Sequence, residues 1–393
     1  MRGISLREPD AETVPLEKLT RFYLANHFLL REAEHTDIVD VAATVCGLHA
    51  QVPSTPYISL WNRVHDFTSE TLDRALYTEK SLVKAWFMRG TLHIIPARYL
   101  PTYHKALKRM WFEQHGRHAH DPDWPTQEEL EKLLYPTILK ALEDKPLSRK
   151  ELSNRFRSMV SDASGPYERL FSAWGGILKE TNYLGLTLHA EPCNKESCFA
   201  RVDKWLPHVN LDEVNEDEAK AKLLLKYLQC FGPASAQDFA CWSGLLASEA
   251  NQLIEDGERK LSAVQVDGSR KTLWMLKSDT KAFGKVDVEE EVQPRLLPKY
   301  DSYLLGHKDR TRIIDDQYLK QVYRPVIGDI AATILVNGRI AGTWMHKRTT
   351  SKLTVALHSF KKLDRETIIQ LRDAVNKLGA FMKVRQAEIL STP

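Results

Sequence analysis

A short pattern occurs twice in this chain and constrains its fold more than any other feature. Pro146-Leu147-Ser148-Arg149-Lys150-Glu151-Leu152 and Pro233-Ala234-Ser235-Ala236-Gln237-Asp238-Phe239 match in residue type and in register. Each puts a serine where a helix begins, an acidic side chain three residues later, and an apolar residue after that. The serine and the carboxylate satisfy backbone N–H groups that the first helical turn leaves unpaired. The apolar residue buries against the preceding helix and sets the angle between the two. A helix-turn-helix needs such a start, and its recurrence predicts tandem units of one kind.

The flanking segments agree. Thr126 to Glu143 reads as a helix opened by a Thr126/Glu129 capping box, and Pro166 to Glu180 as a third helix after the one capped by Ser148. Tyr183 to Val202 then reads as a β-ribbon. The next pass has helices at Asp217 to Phe231, from Ser235, and at Ser248 to Asp256, followed by a ribbon at Lys260 to Leu276 with Gly268 at its turn. Near the start, Leu16 to Leu30 is apolar at helical spacing, and Thr36 is the expected N-cap of a helix running through Leu48. Ile58 to Phe67 and Ser69 to Tyr77 also read as helical, and Leu82 to Ile95 as a hairpin about Arg89-Gly90. Helices followed by a ribbon are the order of a winged helix-turn-helix.

After Asp287 the pattern changes. Asn337-Gly338 between apolar runs is a type I′ hairpin signal, Gly342-Thr343-Trp344 and Leu353 to Leu357 add strands, and Asp364 to Met382 is a closing helix. The expected fold class is therefore α+β. Tandem winged-helix units occupy residues 1–125, 126–208 and 209–286, and a C-terminal β-rich, barrel-like domain occupies 287–393.

Composition narrows the function. The chain has 393 residues, 43% hydrophobic and 27% charged, which suits a soluble globular protein. No apolar run approaches the roughly 18 residues of a membrane span, and Met1 to Pro9 lacks the apolar stretch of a signal peptide. The net charge is only +3. Nucleic-acid binding would therefore need charge gathered on one face. The five cysteines, Cys46, Cys193, Cys198, Cys230 and Cys241, form no Cys-x-x-Cys pair and read as reduced, mostly buried cytoplasmic thiols. Cys193 and Cys198 flank a polar loop and are candidates for a bridge or a metal pair, but no second pair completes a zinc site. The chain has no Walker A loop, no Gly-x-Gly-x-x-Gly, no Gly-x-Ser-x-Gly and no His-Glu-x-x-His.

Two short stretches hold polar groups that a core does not require. Gly47-Leu48-His49-Ala50-Gln51 closes a helical pattern, and Arg89-Gly90-Thr91-Leu92-His93 opens a strand with a cation, a hydroxyl and an imidazole. Arg89, Thr91 and His93 are candidates for contact with a phosphate or a damaged base, with strand-end packing as the other reading. Lys108, Arg109 and Arg117, with Lys105, Arg149, Lys150 and Arg155, lie in or near the helical units and are candidate phosphate contacts. His104, His115, His118 and His120 read as an exposed loop near DNA rather than a metal site. Trp61 and Trp344 read as core, and Asp301 with Arg310 as an ion pair between domains.

These segments also carry a resemblance. The two stretches occur in order with Pro56-Tyr57, Leu60-Trp61, Arg63, Leu296-Leu297-Pro298, Asp301, Asp309-Arg310, Val336-Asn337-Gly338-Arg339 and Gly342-Thr343-Trp344. In that order the chain resembles the AlkZ-like DNA glycosylase family of winged-helix proteins, from about Leu19 to Phe381. The resemblance implies a concave DNA-binding surface, no metal or organic cofactor, and excision of guanines alkylated at N7, including bases held in interstrand crosslinks. The family's catalytic motif, similar to Gln-x-Gln or Gln-x-Asp, falls here on His49-Ala50-Gln51, so the first position departs from the commonest form.

The chemistry suits these residues. An N7-alkylated guanine is cationic and leaves readily, so the enzyme must place a water and stabilise an oxocarbenium-like sugar. Gln51 can hold that water through its amide oxygen, and His49 can orient it or take its proton. The competing readings are a polar helix end for Gln51 and a structural histidine for His49. The expectation is a monomeric, monofunctional DNA N-glycosylase acting on damaged double-stranded DNA, cytoplasmic and associated with the nucleoid. The alternative is a non-enzymatic winged-helix regulator, which would bind a preferred sequence and release nothing.

Overall fold

A computed structural model describes residues 11–34, 37–115, 124–160, 167–172, 176–194, 196–325 and 328–390. Among the described residues the first elements are β1 (Glu12–Val14), α1 (Leu16–Asn26), α2 (Ile38–Thr44), β2 (Leu48–His49), α3 (Thr55–Trp61) and α4 (Ser69–Asp73). The hairpin β3 (Leu82–Trp86) and β4 (Leu92–Pro96) precedes α5 (Leu100–His115), α6 (Gln127–Glu129) and α7 (Tyr135–Ala141). Next come β5 (Leu147–Ser148), α8 (Arg149–Met159), α9 (Tyr167–Leu170), α10 (Gly176–Tyr183), β6 (Thr187–Cys193), β7 (Glu196–Arg201) and α11 (Val202–Trp205). A third pass runs through α12 (Glu216–Phe231), α13 (Ala236–Ser243), α14 (Ala247–Gly257), β8 (Leu261–Val266), β9 (Leu273–Leu276) and α15 (Thr280–Gly284). The remainder is β10 (Arg295–Leu297), α16 (Leu319–Val322), β11 (Tyr323–Arg324), β12 (Asp329–Ile330), β13 (Thr333–Val336), β14 (Arg339–Arg348), β15 (Lys352–Ser359), α17 (Arg365–Phe381) and β16 (Gln386–Leu390).

The chain divides into two compact units. The first contains Met1–Ser69, Leu224–Trp242 and Leu246–Pro393, and the second Glu70–Leu223 with Ser243–Leu245.

In the first unit, β1, β8 and β9 form a small sheet in that order, β1 parallel to β8. Val14, Val264, Leu273 and Met275 of this sheet form one core cluster with Leu19 and Phe22 of α1 and Phe283 of α15. A second sheet has the order β10-β13-β14-β15-β16. The barrel-like expectation is corrected here, because among the described residues the sheet stays open, with β10 and β16 as its edges. Its apolar face is covered by α17 instead, where Leu371, Val375 and Leu378 meet Ile334, Trp344, Leu353 and Val355. A sheet so covered has no need to close on itself. Asn337 and Gly338 both take positive φ, 49° and 79°, as a type I′ turn requires. A Cβ on Gly338 would come within 2.4 Å of Thr20 Cγ2. Trp344 is core, its Nε1 donating to Leu297 O at 2.8 Å, and Trp61 stacks on Phe381 at 6.1 Å.

In the second unit the strands run β4-β3-β6-β7-β5, each antiparallel to its neighbour. The three capped starts form as expected. Thr126 with Glu129 and Ser148 with Glu151 are capping boxes. In the first unit, Ser235 N–H and Oγ–H donate to Asp238 Oδ2 at 2.9 and 2.6 Å, and Asp238 N–H returns a bond to Ser235 Oγ at 3.2 Å.

Several expectations change. Thr36 lies outside the described residues, and Asp37 caps α2 by accepting from Val39 N–H at 2.9 Å. The expected helix through Leu48 ends at Thr44, and Leu48 and His49 form a strand. Cys193 and Cys198 are joined by a disulfide across the β6–β7 hairpin, so the reading of five reduced thiols is corrected to three free cysteines, Cys46, Cys230 and Cys241. Asp301 pairs with Arg63 rather than Arg310, whose guanidinium lies 3.9 Å from the Tyr323 ring centroid. His104 is buried on α5 and not in an exposed loop. His118 and His120 are outside the described residues, as is the side chain of His115.

Candidate active site

The His49 segment is aimed by the end of α2. Gly47 N–H bonds to Ala42 O at 2.8 Å and Cys46 N–H to Ala43 O at 3.2 Å, the paired bonds of a Schellman cap. Cys46 and Gly47 both take positive φ, 55° and 95°. The cap reverses the chain out of the helix into β2, where Leu48 and His49 are 1% and 4% exposed. Ala50 is buried and Gln51 is exposed in the bend that follows. The first polar residue of the motif is thus enclosed while the second faces solvent.

His49 stacks on Tyr300, with ring centroids 4.6 Å apart and planes 14° from parallel. Tyr300 itself sits at φ 57°, a left-handed conformation that costs a non-glycine residue about 1 kcal/mol or more. Its neighbours hold it there. Thr55 Oγ1 donates to Lys299 O at 2.8 Å, and the Tyr300 hydroxyl donates to Asp329 Oδ1 at 3.1 Å or Gly328 O at 3.0 Å. Asp329 also receives Lys299 Nζ at 2.7 Å and the Arg324 guanidinium.

Beneath this layer Asp301 anchors the loop. Arg63 Nη2 and Nη1 donate to its two oxygens at 2.6 and 2.9 Å, and Ser59 Oγ donates at 2.7 Å. Both ion-pair side chains are 0% exposed. Burial alone would raise the Asp301 carboxyl. The charge and hydrogen bonds of Arg63, with those of Ser59 and the Tyr303 N–H, outweigh it and hold the group below the usual carboxylate range. His27 is pushed down to about 3 by burial and then by the Arg63 charge, so it is neutral at physiological pH.

The other expected residues lie in the second unit. Arg89, Thr91 and His93 are brought together at the β3–β4 turn. Arg89 takes φ 52° and Gly90 φ 69°, and Gly90 N–H bonds Phe87 O at 2.9 Å. Arg89 and Thr91 are half-buried, and His93 is 3% exposed with Nδ1 donating to Thr91 O at 3.0 Å. Burial, with the Arg89 charge, pushes His93 down to about 3, so it offers hydrogen bonding and no charge. On α5, Lys108 is half-buried and Arg109 Nε lies 3.5 Å from Glu216. Lys105 pairs with Asp212 at 2.5 Å and Arg155 with Asp144 at 2.6 Å. Arg117 lies outside the described residues. Among the described residues no cluster of metal-ligating side chains occurs.

Sequence reasoning missed Tyr300, Lys299 and Asp329. The signal for the first two was available, since both lie between Pro298 and Asp301 in a stretch already singled out. Asp329 reaches the site only through tertiary pairing.

The family model for DNA glycosylase AlkZ-like proteins matches residues 42–381, which include the His49 segment, Arg63, the Tyr300-Asp301 loop and Asp329. The chain belongs to the AlkZ-like DNA glycosylase family. A relative described as an interstrand DNA cross-link repair glycosylase, from Streptomyces sahachiroi, is 26% identical over 322 residues, 78% of this chain and 81% of that protein. The solved structure of Streptomyces sahachiroi DNA glycosylase AlkZ aligns with a TM-score of 0.81 at 22% identity, covering 96% of this chain and 99% of that one. The mixed α+β architecture is therefore that of AlkZ. No described helix is long and apolar enough to cross a membrane.

Proposed function

We propose that this protein hydrolyses the N-glycosidic bond of purines alkylated at N7 in double-stranded DNA, with His49 and Gln51 as its catalytic residues. The observation that carries this reading is the Schellman-capped His49-Ala50-Gln51 segment, lying inside the family match with an enclosed imidazole and an exposed amide two residues apart. Gln51 holds the attacking water through its side-chain oxygen. As the C1′–N9 bond breaks, its electron pair neutralises the cationic base. Water forms the new C1′–O bond, and its proton passes to His49. The products are free N7-alkylated base and an abasic site. No strong acid is needed, because the leaving group is already charged.

The name of the Streptomyces relative extends the proposal to bases held in interstrand crosslinks. Many glycosylases extrude the target base. A crosslinked base is tethered to the opposite strand, so it reacts while only partly displaced. The helix-helix-ribbon order at residues 1–125, 126–208 and 209–286 supports tandem winged helices, with the 287–393 domain beside them in sequence. Arg89, Thr91, His93, Lys108, Arg109 and Arg117 are the proposed DNA contacts, and the protein acts as a monomer in the cytoplasm near the nucleoid. For Arg109, DNA binding then means exchanging the Glu216 carboxylate for a phosphate. The test is incubation with duplex DNA carrying N7-methylguanine. Released base and an abasic strand support the reading, whereas binding to one undamaged sequence without release would establish a regulator.

A further inference from the structure

We propose that Tyr300 is a positioning residue for the imidazole of His49. This inference rests on the assignment of His49 to the chemistry. The two rings stack at 4.6 Å and 14°, a geometry in which the phenol covers one face of the imidazole. A covered imidazole keeps its plane, so its edge nitrogens stay aimed in fixed directions. The cover is itself fixed from three sides. The Tyr300 hydroxyl donates to Gly328 O or Asp329 Oδ1, the Lys299 carbonyl is bound by Thr55, and the next residue, Asp301, is locked by Arg63 and Ser59. These bonds hold Tyr300 in a left-handed conformation that an unconstrained tyrosine would leave. Such bracing exceeds what a loop needs merely to close. The carboxylate behind the phenol is answered by Lys299 and Arg324, so what reaches the imidazole is chiefly a polarisable face. That face favours the positive charge His49 gains when it takes the proton of water.

The role predicts a specific coupling. Tyr300→Leu removes the aromatic face but keeps bulk, and Tyr300→Phe keeps the face but loses the hydroxyl bonds. Single-turnover excision of N7-methylguanine should fall about 10- to 100-fold in Y300L, the scale expected for a misplaced catalytic group. It should recover to within about 3-fold of the parent in Y300F. Duplex affinity, measured separately, should change less than about 3-fold in both. The deciding measurement is the double mutant. If Tyr300 acts through His49, Y300L in an H49A background should cost almost nothing more. An equal loss in both backgrounds, or a Y300L rate at the parent value, would overturn the role of Tyr300. An H49A protein that excises at the parent rate would instead remove His49 from the chemistry, and with it this inference.

Discussion

The clearest residue-scale contrast lies inside the proposed catalytic motif. Gln51 is exposed in a bend. Gln51→Ala should abolish base excision while keeping duplex affinity within a few-fold, because phosphate contacts supply most of that affinity. A mutant with near-parent single-turnover excision would take Gln51 out of the site. His49 is enclosed, and its substitutions separate placement from proton transfer. His49→Ala should slow the reaction by roughly one to four powers of ten. His49→Gln restores the commoner form of the family motif and should keep much of the rate. If H49Q proves as slow as H49A, the imidazole moves a proton that an amide cannot. The segment stands out in the sequence, but the difference in exposure between its two polar residues does not. That difference arises at the bend that follows His49, which no local residue pattern announces.

At the scale of elements, the capping pattern was the most faithful guide. Thr126/Glu129, Ser148/Glu151 and Ser235/Asp238 all formed the reciprocal bonds their spacing predicts. These contacts are local, so sequence determines them. Helix C-termini are harder to read, even where the cap is local. The expected extension of α2 through Leu48 ignored the left-handed Cys46-Gly47 pair, since cysteine is an uncommon residue in that conformation. The proposed third helices also differ from the simple picture of a DNA-reading helix. α10 is buried from Ile177 to Tyr183 apart from Lys179, and the exposed side of α14 carries Glu255 and Asp256. Neither presents a basic face. The two repeated caps should also differ in strength. Ser148→Ala should cost about 1 kcal/mol, the usual value for a lost N-cap. Asp238 is 1% exposed and accepts from Lys308 N–H at 2.9 Å besides its own cap. Asp238→Ala should therefore cost about 2 kcal/mol more, because buried N–H groups lose their partner. Denaturant midpoints at constant slope would measure both, and equal shifts would contradict the comparison.

The whole molecule carries several histidines buried in the neutral form. Burial pushes His27 and His93 down to about 3 and, with Lys108 and Lys105, His104 to about 4. Their unfolded forms titrate near 6.5. Below that pH the unfolded chain takes up protons that the folded protein refuses, so stability falls as pH drops from about 6.5 toward 4. Each such histidine contributes up to ~1.4 kcal/mol per pH unit in that window. Thermal midpoints should begin to decline near pH 6, above the carboxylate range, and a flat profile from pH 7 to 5 would contradict this.

Base release tests the proposed chemistry most directly. Purified protein in excess should convert a duplex holding one N7-methylguanine into free N7-methylguanine and an alkali-labile abasic strand, in one turnover and without added metal. The Q51A protein should bind the same duplex and leave it intact. Equal release by the parent and Q51A proteins, or tight binding by the parent with no base released, would contradict the account.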